Sequence, residues 1–332
     1  MTIYEATKEY LVWRKTKKFA TPTLIQNESN LKQFAIFMRN CEVCQVQEKD
    51  VTSYFGMLEN QMEVLNNSII PKSAALRGFF KYWNDRTVDT LNYKLIPLPK
   101  KVPTFPNITT KEDFAKFWAE ISRPSEDSRR IRNAALISLL AVTGIRNGEA
   151  CSLQLDKIDT QKPIPVPTKD GVVMMYRGVI KTEKTRGMRP FREIFWTEEV
   201  NRHIKKWIDR RKEIHERHPF KEAEFVFVGL NSKLGEAGWG KRLLNNSVDE
   251  IFRVYSKKAG VDINPHMLRH MLGRDMAENG ANEHNISDVL GHSRLDSSRI
   301  YTMLFGTAVA KQFYRFRGTD EIIQKETVVQ AV

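Results

Sequence analysis

Three cysteines in 332 residues are too few for a disulfide framework. Cys41 and Cys44 form a lone C-x-x-C pair and Cys151 stands far from them, so a four-thiolate zinc site cannot be completed. The pair follows a helical pattern, not the strand-to-helix setting of a redox motif, and the three read as reduced cytosolic cysteines. Long apolar runs are also missing, and no stretch approaches the length of a membrane helix. The first eighteen residues are amphipathic, contain Glu5 and Glu9, and do not read as a secretion signal. No internal repeat or low-complexity block is present.

Acidic residues are in short supply: 40 against 53 Lys and Arg, a net charge of +13. The excess is shared, with 15 basic and 10 acidic side chains over residues 1–110 and 38 and 30 over residues 111–332. A positive field along the whole chain suits a polyanion such as nucleic acid better than one small ligand. The length predicts two domains.

Apolar spacing predicts four short helices before residue 95. The first covers 3–18, with Ile3, Ala6, Tyr10 and Trp13 on one side. The second begins at a Thr21 cap with Pro22 at its first position, the third at an Asp50 cap, and the fourth at Ser68 and Pro71. Lys15, Lys17, Lys18, Lys72, Arg77 and Lys81 punctuate this bundle, and Lys100 and Lys101 follow it. Singly each reads as a solvated surface residue; together they can track DNA phosphates. Residues 96–107 carry four prolines and read as a linker between a helical domain at 1–95 and a second domain at 108–332.

Thr110 opens the second domain. Residues 129–142, RRIRNAALISLLAV, predict its buried central helix, ended by Gly144. VVMMYRGVI and RPFREIFW are short, β-branched and aromatic, which predicts a small sheet with a hairpin tip near 181–187. Helices return over 197–215 and 242–259, flanking FVFV at 225–228, a short strand or buried segment, and a glycine-rich loop. The fold class is mainly α with a small antiparallel β-sheet.

Chemistry gathers in NPHMLRHMLGRDMAENGANEHNISDVLGHSRLDSSRIYTMLF, residues 264–305. His266, Arg269 and His270 fall three and four apart, on one face of a predicted helix. His292 follows a glycine turn and Tyr301 lies nine residues on. Upstream, TGIRNGEA places Arg146 just after a glycine, with Glu149 three residues later. Taken singly these are open: Arg146 as a surface arginine paired with Glu149, HMLRH as a structural cluster. A zinc reading fails because a histidine pair wants a third ligand, and Arg269 would repel the cation. A metal-dependent nuclease would need clustered carboxylates, which the sequence does not place around these histidines.

With these features in this order the chain resembles the tyrosine recombinases, also called phage integrases. The family's T-G-x-R-x-x-E box matches TGIRNGE, giving Arg146 and Glu149; its H-x-L-R-H box matches HMLRH, giving His266, Arg269 and His270. L-G-H matches Leu290-Gly291-His292, and the nucleophilic tyrosine matches Tyr301. The resemblance covers most of 108–305. It implies an N-terminal helical core-binding bundle and a catalytic domain that cleaves DNA through a 3′-phosphotyrosine, with no ATP, metal or cofactor. Arg146, Arg269 and His292 would hold the phosphate, with His266 in support. His270 would orient or deprotonate Tyr301, and Glu149 would brace the cluster. The family's hairpin lysine matches Lys181, with Lys184 as the alternative, because IKTEKTRGMRPF lacks the usual G-K-G. Gly148 and Met271 stand where relatives often carry serine and threonine. The implied partners are double-stranded DNA with a specific site and further copies of the chain, dimer to tetramer on DNA, with room for an accessory DNA-bending protein and no membrane. The location implied is cytoplasmic, on nucleoid or viral DNA. A DNA-binding regulator of the phage-repressor kind, keeping the fold without catalysis, is the alternative. The tail after Tyr301 would dock on a neighbour or pack in cis.

Overall fold

The structure, a computed structural model, describes residues 1–60, 62, 66–86, 89–102, 107–168, 171–182, 190–230, 239–292 and 296–304. Lys184, the hairpin tip at 183–187 and the tail from 305 onward lie outside them. The chain divides into two compact units, Met1–Thr104 and Phe105–Val332.

The first unit holds α1 (Ile3–Thr16), α2 (Thr21–Phe37), α3 (Glu48–Asn60) and α4 (Asn66–Asn84). Thr2 caps α1 and Glu5 reaches back to the Thr2 N–H at 2.9 Å, a reciprocal capping box. Three expected starts move by one to a few residues. Thr21 is the first residue of α2, not its cap; Ala20 stands at the cap with no side-chain hydrogen bond, and Pro22 follows at the second position. Asp50 lies in the first turn of α3 and accepts the Gln47 N–H at 2.9 Å, so the carboxylate reaches back to the cap and does not form it. Pro71 lies inside α4, which begins at Asn66; the side chain of Asn30 donates to the Pro71 carbonyl at 3.3 Å. The core is aromatic, with Phe34, Tyr54, Phe79 and Phe80 inaccessible to solvent and Phe79 meeting Phe80 edge to face at 5.1 Å. The start of the expected linker belongs to this bundle: Ile96 is buried in its core, and Val102 and the Asn67 side chain exchange hydrogen bonds of 2.9 and 3.0 Å.

The second unit begins with α5 (Lys111–Ser122), α6 (Ser128–Thr143) and α7 (Asn147–Cys151). Thr110 caps α5 by accepting the Asp113 N–H at 3.0 Å. Helix α6 is the buried centre anticipated from its sequence, and Gly144 closes it in the left-handed region at φ 59°. The sheet has three antiparallel strands in the order β1 (Ile158–Thr168), β2 (Gly171–Lys181), β3 (Phe191–Thr197). The first was not anticipated, because Pro163, Pro165 and Pro167 argue against a strand. It pairs only with β2, opposite Val172–Met175, and the two-residue period turns the N–H-less positions 165 and 167 to the unpaired edge. Residues 226–228 are a buried segment, tied by isolated bridges at Phe225 and Val228.

Helix α8 (Glu198–Arg217) packs on α6 and the sheet. Its Trp207 is fully buried and donates its indole N–H to the Val226 carbonyl at 2.8 Å. Then follow α9 (Asn245–Ala259), α10 (Pro265–Glu278), α11 (Glu283–Leu290) and α12 (Asp296–Leu304). Ala277, Ile286, Leu290 and Tyr301 form a small buried cluster joining the last three helices. Among the described residues no helix is long and apolar enough to cross a membrane.

Candidate active site

Two helices end at the same place. The carbonyls at a helix C-terminus lack intrahelical donors and carry the negative end of the peptide dipoles. Arg269, from the second turn of α10, donates one guanidinium nitrogen to the Gly144 carbonyl at the end of α6 and the other to the Leu290 carbonyl at the end of α11, both at 2.6 Å. Arg146 donates to the next carbonyl, Gly291, at 3.2 Å. Two guanidiniums therefore converge on Leu290-Gly291, and His292 is the residue that follows.

Glu149 is inaccessible to solvent and organises the rim. One carboxylate oxygen accepts from the Arg146 guanidinium at 3.0 Å. The other accepts the Arg146 backbone N–H at 2.9 Å and the Arg192 guanidinium at 3.2 Å. A buried carboxylate costs several kcal/mol unless it is paired and fully hydrogen-bonded, on the order of the desolvation of one ion. These contacts meet that need. Burial of Arg269, with Arg146 nearby, pulls its pKa down to about 10, which leaves it charged at neutral pH.

Tyr301 sits over α10 with 1% of its surface exposed. A Cβ on Gly273 would lie 2.8–2.9 Å from the ring carbons, so only glycine leaves space for the phenol against this helix. The phenolic oxygen lies 2.7 Å from Nδ1 of His270, and the His292 ring stacks on the phenol at 6.3 Å and 10°. Burial pushes the Tyr301 pKa up to about 12 and, aided by His266 and Arg269, takes that of His270 down to about 4. At neutral pH the imidazole is uncharged, and with its proton on Nε2 its Nδ1 accepts from the phenol. His292 falls to about 3, through burial first and then the neighbouring arginines. Its Nδ1 lies 2.7 Å from the hydroxyl of the fully buried Ser298.

The structure thus gathers Arg146, Glu149, Arg269, His270, His292 and Tyr301. His266 is exposed near the start of α10, so the three residues expected on one face occupy three environments, from solvent to core. Lys181 is exposed at the end of β2. Arg192 on β3 and Ser298 on α12 join the cluster although no motif marks them. The strand pattern that placed 190–196 in a hairpin carried no sign that one polar position faces a buried carboxylate. Among the described residues no group of three His, Cys, Asp or Glu could hold a metal ion.

Of the basic residues expected on DNA from the first unit, Lys15, Lys17, Lys18, Lys81, Lys100 and Lys101 are exposed. Lys72 and Arg77 are partly committed inside the bundle. The Lys72 ammonium is hydrogen-bonded to Gln33, and Arg77 donates to the Ile96 carbonyl and lies 5.7 Å over the Tyr93 ring.

Residues 108–306 match the model of the phage integrase family, and the chain belongs to that family, the tyrosine recombinases. Among its relatives is the tyrosine recombinase XerC of Leptospira interrogans, 26% identical over 323 residues, which span 95% of this chain and 93% of the relative. The tyrosine recombinase XerA of Pyrococcus furiosus is 29% identical over 230 residues, 69% of this chain and 66% of the relative. The fold is that of the XerH site-specific recombinase, solved bound to its difH substrate before cleavage (TM-score 0.66, 19% identity, 90% of this chain and 81% of that one). The Tn1549 transposon integrase, solved with transposon right-end DNA, shares it at a TM-score of 0.64, with 18% identity over 95% of this chain and 99% of that one.

Proposed function

We propose that this protein cuts and rejoins DNA at a specific site, with Tyr301 as the nucleophile. One observation carries the reading: the Tyr301 phenol is hydrogen-bonded to an uncharged His270, beside two guanidiniums and an imidazole that converge on Leu290-Gly291-His292. A phosphodiester has one negative charge and gathers more on its non-bridging oxygens as it is attacked. Arg146, Arg269 and His292 are the donors for those oxygens, and the forked guanidinium suits them. His270 takes the phenolic proton as the Tyr301 oxygen–phosphorus bond forms. Lys181 gives a proton to the departing 5′ oxygen as its bond to phosphorus breaks. His266, exposed one turn before His270, supports the phosphate from the solvent side. The 3′-phosphotyrosine keeps the bond's energy, so attack by a 5′-hydroxyl reseals the strand without ATP. The guanidiniums supply the positive charge that a divalent cation supplies elsewhere.

Under this reading residues 1–95 are a core-binding domain and 108–332 the catalytic domain. The exposed lysines of the first unit add phosphate contacts that bring affinity and salt dependence. Strand exchange needs further copies of the chain on the same DNA, and the work is done on nucleoid or viral DNA in the cytoplasm. The test is selection of binding sites from a pool of nicked duplexes, read together with covalent trapping. The expected result is a protein–DNA adduct on the selected site that Tyr301→Phe does not form. A selected site that is bound tightly with no adduct would make the protein a regulator.

A further inference from the structure

We propose that Arg192 is a positioning residue for the acid that protonates the leaving strand. It would lock β3, and with it the Lys181 end of β2, onto the cluster around Arg146. The inference rests on the strand-cleavage reading above.

Lys181 is the last residue of β2 and pairs with Phe191; its neighbour Ile180 pairs with Arg192. The ladder continues one step beyond, where the Thr182 N–H donates to the Pro190 carbonyl at 2.9 Å. An exposed lysine at a strand end has many rotamers, and its ammonium is useful only if the strand end is held near the phosphate pocket. The Arg192 side chain ties this end of the sheet to that pocket. Its side chain is 10% exposed. One terminal nitrogen donates to Glu149 at 3.2 Å and the other to the Val289 carbonyl near the end of α11.

The guanidinium also lies close against Gly291, where a Cβ would come within 2.8 Å of Nε. Glu149 and Gly291 are the two residues that hold the Arg146 guanidinium. Both terminal nitrogens of Arg192 are thus committed to the protein. Its two partners, Glu149 and the end of α11, make it a strut between the lysine's strand and the clamp already present.

The test compares DNA with an ordinary 5′ oxygen at the scissile bond and DNA with sulfur in that bridging position. A thiolate leaves without a proton, so loss of the acid matters little on the sulfur substrate. Lys181→Ala should lower single-turnover adduct formation on oxygen DNA by about 10²–10⁴-fold and cut sulfur DNA almost normally. Arg192→Ala should follow the same pattern, at least about tenfold down on oxygen DNA and largely restored on sulfur DNA. Arg146→Ala should be defective on both.

Should Arg192→Ala melt early, Arg192→Lys keeps the charge but loses the two-point grip, and should show the same rescue. The inference is overturned if the Arg192 variants are equally defective on both substrates, if they cut oxygen DNA like the unaltered protein, or if sulfur fails to rescue Lys181→Ala. A failure of the unaltered protein to form an adduct on either substrate would instead remove the cleavage reading itself.

Discussion

Arg14 and Arg86, in the N-terminal unit, lie over aromatic rings near the surface, 3.8 Å from the Phe19 centroid and 3.7 Å from that of Tyr82. Arg146, Arg192 and Arg269, in the C-terminal unit, are held instead by a buried carboxylate and by the carbonyls of helix ends. The residue type is the same and the environment decides its use. An arginine on an aromatic face adds to the general positive field, so a neighbour can replace it. An arginine bonded to two helix C-termini cannot swing away, and its remaining donors point where the fold directs them. Under the proposed function, binding charge is spread and redundant here, whereas the charge for chemistry is concentrated and fixed.

The contrast is sharpest at the proposed nucleophile. Tyr301→Phe should leave DNA binding intact and give no covalent adduct in a trapping assay; an adduct that persisted would move the nucleophile elsewhere. Arg269→Ala should lower the single-turnover cleavage rate on the order of 10²–10³-fold, the scale of losing one fixed donor to a developing oxyanion. It should also lower the melting temperature, because the Gly144 and Leu290 carbonyls lose their donor. A variant with near-normal cleavage would place Arg269 among structural residues only.

Gly273→Ala probes the seat of the phenol. The added methyl must displace the ring, and a shift near 1 Å costs about 10²-fold in rate. Binding should be unchanged, and a rate equal to that of the unaltered protein would show that the phenol leaves this seat before reacting. Lys15, Lys17 and Lys18 supply the opposite arm. Replacing all three by alanine should weaken binding to every DNA sequence alike and flatten the salt dependence by about one unit of slope for each phosphate left without its lysine. Cleavage at saturating protein should not change; a large drop there would dissolve the distinction drawn above.

The smallest effect concerns pH. His270 and His292 have folded pKa values near 4 and 3, below the ordinary histidine value, so the unfolded chain binds more protons as pH falls through about 6.5. Stability contributed by the uncharged rings is present above that value and declines toward pH 4. The ceiling is about 1.4 kcal/mol per pH unit for each ring, reduced by solvent screening because both are partly exposed. Urea melts from pH 7 to 4.5 should show that decline, and His270→Gln should make it shallower. An unchanged slope would mean the ring takes up a proton freely in the folded protein.

Much of this was legible in the chain itself. The α6 pattern, the Thr110 cap and the hairpin strands each carry a local signal, and a local signal survives because hydrogen-bond and apolar periods are short-range properties. The motifs around Arg146, Arg269, His292 and Tyr301 named the residues of the site. Two kinds of feature did not show. Strand β1 was hidden because three prolines contradict strand propensity, and only pairing on one side makes them acceptable. Arg192 and Ser298 were hidden because a polar residue in a strand or helix looks the same whether it meets water or a buried partner.

Residue types, their order and their helical spacing thus determined the family and the helical class, and named the candidate reacting groups. Which arginine faces water and which faces a carbonyl, and how the phenol comes to rest 2.7 Å from an imidazole 31 residues away, were decided only when α6, α10, α11 and α12 came together. The reason is physical. Burial, and the partners that make burial tolerable for a charge, are properties of the space between elements and are written in no single one of them.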